Sequence, residues 1–275
     1  MKKLLNNKYV KNFYDILMMP AIRILPGNLA YYLVLSIIPI IALIAALCSK
    51  FSLSTDDIKN FFDIILPNNV EDILLSVFNS VSSDSLSVWF VIIGFIMASN
   101  GAHSIILSSN ILFKIDNKGF LERRIKSLFL TIVLVFLIIF IIVVLGFGNI
   151  ILSFVLNLKI FKSVSNVIYS SFVILKWPVA IIFIFMLIKV IYTISPDKHI
   201  PSKYMNRGAR FTTIGLIIAS LIYSYYANNI ANYSYIYGNL ANIIVLIIFV
   251  YVISYLLVVG IAMNANIYNI EKDGE

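Results

Sequence analysis

Five polar residues that could bind a solute lie inside, or just beyond, long apolar stretches of the sequence. Asn100 and His103 belong to one stretch, Asn28 and Tyr32 to another, and Asn264 follows a third. Because polar side chains are costly in hydrocarbon, each needs a hydrogen-bond partner or a ligand. We predict that the five residues form an inner polar lining. It is either a vestibule or headgroup site that opens to the cytoplasm, or a set of interhelical hydrogen bonds that fixes the bundle.

A second group of polar residues is expected at the outer ends of the apolar stretches. Tyr235, Tyr237 and Asn239 crowd the turn before the last stretch, and Lys176 lies near the outer end of the fourth. Tyrosine rings and snorkelling lysines are typical of the membrane interface, which alone would explain them. The alternative is that Lys176 meets a phosphate or carboxylate headgroup. We take these four residues as secondary candidates for a binding site at an outer mouth.

The sequence lacks the residue patterns of common enzymes and metal sites. It contains no G-x-S-x-G, H-E-x-x-H or Walker lysine motif, and its two histidines have no matched carboxylate within an apolar stretch. Its single cysteine, Cys48, excludes an intrachain disulfide. No Asp or Glu lies within the apolar stretches, which disfavours transport coupled to a buried carboxylate. We therefore expect no catalytic residues, no cofactor and no metal.

The elements that must position these residues are six long apolar segments. Hydrophobic residues make up 61% of the 275 residues and charged residues 12%, a composition far from that of a soluble domain. About 20 apolar residues cross the hydrocarbon layer as a helix. The sequence therefore predicts an all-α polytopic membrane protein with six transmembrane helices. The predicted spans are Asn28–Cys48, Val88–Leu107, Ser127–Leu145, Phe172–Tyr192, Phe211–Ala227 and Leu240–Ala262.

Basic residues are concentrated in alternate connections between the spans. The N-terminal segment and the loops after the second and fourth spans hold most of the lysines and arginines. Because cytoplasmic loops carry this excess, both termini are predicted to lie in the cytoplasm, and the protein in the cytoplasmic membrane. The net charge of +8 then follows from basic loops beside anionic lipid headgroups. We expect membrane lipids as partners and no nucleic acid.

Short amphipathic helices are predicted outside the spans. Residues 7–24 are expected to form an interfacial helix that Pro20 bends or ends, and Pro26 and Gly27 to turn the chain into the membrane. An external segment at about 49–86 is predicted to contain two more such helices. The predicted divisions are a cytoplasmic N-terminal segment at 1–27, a transmembrane domain at 28–268 and a cytoplasmic tail at 269–275.

Several segments, taken in chain order, form a recognisable set. They are Asn28-Leu-Ala-Tyr-Tyr-Leu-Val-Leu-Ser-Ile-Ile-Pro39, Ser99-Asn-Gly-Ala-His through Asn110, Ile194-Ser-Pro196, Tyr235-Ile-Tyr-Gly238-Asn-Leu-Ala, and Tyr251 followed by Gly260-Ile-Ala-Met-Asn264-Ala. Together they resemble the YihY/virulence factor BrkB family of integral membrane proteins over nearly the whole chain.

This resemblance implies a six-helix protein of the cytoplasmic membrane without a settled activity. Members of the family have been labelled as ribonuclease BN or as a serum-resistance factor, and the nuclease label matches no motif in this sequence. Family members often carry Glu in a sixth-span Gly-Ala-Glu-x-Asn motif, where this chain has Ala262. A family mechanism that relies on that carboxylate is therefore in doubt for this chain.

Our leading functional hypothesis is a permease-like protein that moves or positions an amphipathic or lipid-linked solute, without coupling through buried carboxylates. The alternative is a non-transporting scaffold that organises envelope proteins or lipids, and a third possibility is a membrane-bound hydrolase. A water-sized cavity between the first, second and sixth spans favours transport, whereas a dry, packed bundle there favours the scaffold.

Overall fold

The computed structural model describes residues 14–50, 88–116, 119–141, 165–229 and 239–273. Within these ranges the chain forms helices and turns without β-strands, which confirms the all-α class for this part of the protein. The long helices are α1 (Pro20–Lys50), α2 (Val88–Phe113), α3 (Phe120–Ile141), α4 (Ser165–Ile194), α5 (Asn206–Asn229) and α6 (Asn239–Asp273). A short 3-10 helix, Ser202–Met205, precedes α5.

Three of these helices contain segments long and apolar enough to cross a membrane. The segments are Ile92–Phe113 of α2, Trp177–Ile194 of α4 and Ile244–Glu271 of α6. By length and composition, each of these segments within the described residues is a candidate membrane span. The six-span topology and the cytoplasmic position of both termini stay predictions.

The first long helix begins earlier than the sequence predicts. α1 starts at Pro20 and continues through Pro26 and Gly27, so the turn predicted at these two residues is wrong. Proline suits the first helical position, because an N–H there has no acceptor within the helix and proline loses nothing by lacking one. Residues 14–17 form a separate helical turn, and the helix is interrupted at Met18 and Met19 before α1 begins. Of the interfacial helix predicted over residues 7–24, residues 7–13 lie outside the described ranges.

The described core lies where α1, α2 and α6 meet and where α5 packs against α6 and α4. Its most buried side chains include Leu29 of α1, Ile105 and Ile106 of α2, and Val258 and Ile261 of α6. Lipid tails are as apolar as these side chains, so within a bilayer close packing rather than hydrophobicity has to hold the helices together. The core therefore depends on small residues and on hydrogen bonds between helices.

Gly101 lies at a close contact between α1 and α2. A Cβ atom at Gly101 would lie 2.9 Å from Cδ2 of Leu33. Beside this contact the hydroxyl of Ser36 lies 2.7 Å from the carbonyl oxygen of Tyr32 and 3.2 Å from that of Ala98. The single hydroxyl proton is shared between the two helices, which fixes their register at the level of the predicted polar residues.

Candidate functional site

Two arginines of α3 lie against the middle of α2. Nη1 of Arg124 donates a hydrogen bond to Oδ1 of Asn100 at 2.9 Å, and Nη2 donates to the carbonyl oxygen of Ile96 at 2.8 Å. Both acceptors lie inside the candidate membrane span Ile92–Phe113. Arg123 and Arg124 are also close enough to His103 to act on its ring electrostatically. The arrangement places guanidinium charge beside two of the predicted site residues.

We call Asn100, His103, Arg123 and Arg124 the arginine cluster. Within the described residues, Nδ1 of His103 and Nε of Arg123 are buried and have no hydrogen-bond partner. Both side chains are half-buried as a whole, so part of each is accessible from outside the bundle. An arginine Nε–H can only donate, so the group missing at Arg123 is an acceptor. A bound anion would supply one.

The serines that follow the cluster along α2 are also unsatisfied. Ser104, Ser108 and Ser109 are fully buried, and their hydroxyls have no partner in the part of the chain that the structure describes. A buried hydroxyl without a partner costs about 1–3 kcal/mol. The unsatisfied polar groups of α2 therefore extend nearly two turns beyond His103, as far as Ser109.

A buried carboxylate lies just past the end of α4. The Asp197 side chain is 1% exposed, and its Oδ1 accepts a hydrogen bond from Nζ of Lys126 at 2.9 Å. Asn110 donates to the other carboxylate oxygen at 2.6 Å and accepts from the Asp197 N–H at 2.9 Å. Lys126 also donates to the carbonyl oxygens of Ser195, at 2.9 Å, and Pro196, at 2.7 Å. We call this set the Asp197 latch, because it joins α2, α3 and the loop after α4.

Asn264 connects α6 to the first turn of α5. Its Oδ1 accepts a hydrogen bond from the N–H of Gly208 at 2.7 Å, and the residue is fully buried. A Cβ atom at Gly208 would overlap with the carbonyl oxygen of Gly260, so the two backbones are in direct contact. Nδ2 of Asn264 has no partner among the described residues. The amide therefore acts at least as a structural link at this crossing.

A pair of hydroxyls extends the same crossing to α4. The Tyr192 hydroxyl lies 2.6 Å from Oγ1 of Thr212 and 2.9 Å from the carbonyl oxygen of Leu257. Oγ1 of Thr212 is in turn 3.1 Å from the carbonyl oxygen of Leu256. A Cβ atom at Gly260 would overlap with both hydroxyls, so only glycine leaves room for them. Sequence reasoning missed Tyr192 and Thr212, although the glycine that accommodates them is part of the recognisable sixth-span segment.

The five predicted inner residues have different neighbours in the structure. Asn100 is bonded to α3 and lies near His103, whereas Asn264 is bonded to α5. Asn28 and Tyr32 are half-buried on α1, and the Tyr32 ring packs edge-on against Tyr31 with their centroids 5.2 Å apart. One lining shared by all five residues stays a prediction.

The side chains of the four secondary candidates at the outer side are not among those that the structure describes. Tyr235 and Tyr237 are not among the described residues. Lys176 lies in α4 and Asn239 begins α6, but the description of these helices does not extend to either side chain. The proposed outer mouth therefore stays a prediction as well.

Comparison with known proteins identifies a relative over most of the chain. The ribonuclease-like protein YfkH of Bacillus subtilis (strain 168) is 31% identical over 251 residues, which are 90% of this chain and 90% of that protein. No solved structure matches the chain significantly. The family model described as Virulence factor BrkB matches residues 22–275, which confirms the resemblance carried by the ordered segments. The chain therefore belongs to the Virulence factor BrkB family.

Proposed function

We propose that this membrane protein binds an anionic amphiphile with its headgroup at the arginine cluster, and moves or positions it as a permease-like protein. The observation that carries the proposal is the position of the Arg124 guanidinium, bonded to Ile96 and Asn100 within an apolar span. Charged side chains at membrane depth are costly and mark sites of function in membrane proteins. The cost is offset when an anion is bound.

The chemistry of the cluster selects an anion. Arg124 is bonded to a neutral amide oxygen and a carbonyl oxygen. A phosphate or carboxylate is a stronger acceptor and matches the planar donor fork of arginine. Asp197 also acts on His103, but its carboxylate is held by Lys126. The cluster therefore keeps a net positive field toward a ligand, and apolar α2 offers a surface for the ligand's tail.

A specific observation favours the scaffold as the second candidate function. Where α1, α2 and α6 meet, Leu29, Ala102 and Val258 are fully buried, so no water reaches these side chains. A dry junction of this kind supports a protein that holds lipid or partner proteins without passing a solute between these helices. The scaffold still allows a headgroup to bind at the arginine cluster, so binding and movement have to be measured separately.

The first test is headgroup binding. Arg124→Gln removes the guanidinium, and we expect retention of phosphatidylglycerol to fall about tenfold or more, because hydrogen bonds to charged groups are worth about 1.5–3 kcal/mol. Native mass spectrometry of the purified protein, titrated with phosphatidylglycerol or phosphatidylcholine, measures this retention. Arg210→Gln is the matched control, since Arg210 is exposed and bonded to a carbonyl oxygen of its own helix. Equal phosphatidylglycerol retention in both variants would contradict a headgroup site at Arg124.

The second test is movement of the bound lipid. We expect Asn100→Leu and His103→Leu to stop transfer of a fluorescent phosphatidylglycerol between leaflets of reconstituted vesicles, because both substitutions replace polar groups of the cluster with alkyl groups. Membrane insertion, followed by the yield of monodisperse protein, should be unchanged. If the unsubstituted protein binds phosphatidylglycerol but transfers none, the result would contradict the permease hypothesis and support the scaffold hypothesis. Transfer at the original rate in both variants would contradict the assignment of Asn100 and His103.

A further inference from the structure

An apolar groove separates α5 from α6 over the half of each helix nearer to their connection. The cavity has a volume of about 620 Å³. Gly215 lies at one end and Tyr226 at the other, and the walls are formed mainly by Ile218, Ala219, Ile222, Val245, Phe249 and Val252. The groove is open along its length, and the Ile222 side chain on its rim is 64% exposed. The α6 wall of the groove, from Val245 to Leu256, lies within the candidate membrane span Ile244–Glu271.

The groove has the length of an acyl chain and is closed at one end. A Cβ atom at Gly215 would lie 2.7 Å from Cδ2 of Leu256, so the two helices touch there. From this contact to Tyr226, α5 rises about 16 Å at 1.5 Å per residue. One leaflet of a bilayer has a hydrocarbon thickness of about 15 Å.

One buried hydroxyl in the groove lacks a partner. Tyr223 is 9% exposed, and its ring stacks on Phe249 with a centroid distance of 4.2 Å and an interplanar angle of 18°. Within the described residues its hydroxyl has no hydrogen-bond partner. Buried tyrosines usually have such a partner, which a purely hydrocarbon occupant cannot supply. A polar atom of an occupant at the level of Tyr223 would supply that partner; this level is about 12 Å from the closed end, the rise of α5 from Gly215 to Tyr223.

We infer that the α5–α6 groove binds one acyl chain of a membrane phospholipid, with an ester oxygen of the same lipid accepting a hydrogen bond from Tyr223. The methyl end of the chain lies toward Gly215 and Leu256, and the headgroup lies beyond Tyr226. This site shares no residue with the arginine cluster and does not depend on the proposed function. A zwitterionic phospholipid satisfies it as well as an anionic one, because none of the described residues that line the groove is charged.

Photocrosslinking in vesicles tests the site. The protein is reconstituted in phosphatidylcholine that contains a trace of phosphatidylcholine with a diazirine on one acyl chain, and adducts are mapped by peptide mass spectrometry. We expect adducts to concentrate on groove residues such as Phe249 and Val252. Ala219→Trp fills the groove and should reduce these adducts to background. Its neighbour Ser220 is exposed, so Ser220→Trp should leave them unchanged.

A second variant keeps the test decisive if Ala219→Trp does not fold. Tyr223→Phe retains the stacked ring and removes only the hydroxyl, and we expect groove adducts to fall by about threefold to tenfold, the range of one net hydrogen bond. Adducts spread evenly over the exposed apolar faces, including Ile182 and Ile214, would show annular lipid only and overturn the site. Adduct yields that are the same in Ala219→Trp and Ser220→Trp would also overturn it. Because phosphatidylcholine is the probe, these outcomes are independent of anion binding at Arg124.

Discussion

Gly208→Ala is expected to destabilise the protein by about 3 kcal/mol or more, because overpacking of this kind costs about 1–3 kcal/mol even where side chains can move aside. At Gly208 the added methyl group would overlap with the carbonyl oxygen of Gly260 and would lie 2.6 Å from Nδ2 of Asn264. A backbone carbonyl cannot move aside by changing a rotamer. The two helices would have to separate, which would also break the hydrogen bond between Asn264 and the Gly208 N–H.

Thermal unfolding of the detergent-solubilised variants measures this effect. Gly94→Ala in α2 is the matched control, since a Cβ atom there would meet no atom within 4 Å beyond the adjacent residues and the nearby backbone of its own helix. Replacing a helical glycine with alanine in open space is expected to be neutral or to stabilise by up to about 1 kcal/mol. If Gly208→Ala unfolds at the same temperature as Gly94→Ala, the close contact between α5 and α6 is wrong.

The positions of the helices could be predicted from hydropathy, but their ends could not. The predicted span Phe211–Ala227 lies inside α5 (Asn206–Asn229). In contrast, the span predicted to end at Ala262 continues as helix to Asp273. Hydropathy reports the thickness of the apolar layer, whereas a helix ends where its backbone hydrogen bonds end. The same difference explains why α1 begins at Pro20 rather than at Asn28.

The candidate site could be predicted only in part, because a sequence gives the polar residue but not its partner. Because an amide is costly in hydrocarbon, Asn100 and Asn264 could be predicted to need hydrogen-bond partners. This cost could not reveal that one partner is an arginine of α3 and the other a backbone N–H of α5. In the sequence, Arg123 and Arg124 belong to the basic loop after the second predicted span, where they indicate only the orientation of the chain. Only the packing of α3 against α2 brings Arg124 into contact with the apolar span.

Asp197 illustrates the same limit for a buried charge. Its position just past the fourth span gave no sign that the carboxylate is 1% exposed, because its burial depends on Asn110 and Lys126, each about 70 or more positions away in sequence. Such contacts between distant residues arise only when the helices pack. The Asp197 latch is therefore a structural finding, and its energetic role can be tested directly.

Lys126→Met is expected to destabilise the protein by about 3–5 kcal/mol, the cost of removing one partner from a buried ion pair. The substitution removes the Lys126 ammonium from the buried Asp197 carboxylate, and it also removes the donor to the carbonyl oxygens of Ser195 and Pro196. Lys203→Met is the matched control. Lys203 pairs with Glu271 at 3.8 Å with exposures of 67% and 51%, and an exposed pair contributes about 1 kcal/mol or less.

Adding Asp197→Asn to Lys126→Met separates two contributions to the loss of stability. One is the lost attraction between Lys126 and Asp197, and the other is the cost of keeping the Asp197 carboxylate buried without Lys126. Asparagine is neutral and keeps the oxygen that Asn110 donates to, so the double variant should be more stable than Lys126→Met alone. Chemical unfolding of the four proteins in the same detergent completes the double-mutant cycle. A double variant that is less stable than Lys126→Met would mean that the Asp197 carboxylate is stabilised by water or by its other neighbours. Equal losses for Lys126→Met and Lys203→Met would mean that the latch does not hold α2, α3 and the α4 loop together, because its lysine would then behave like one in solvent.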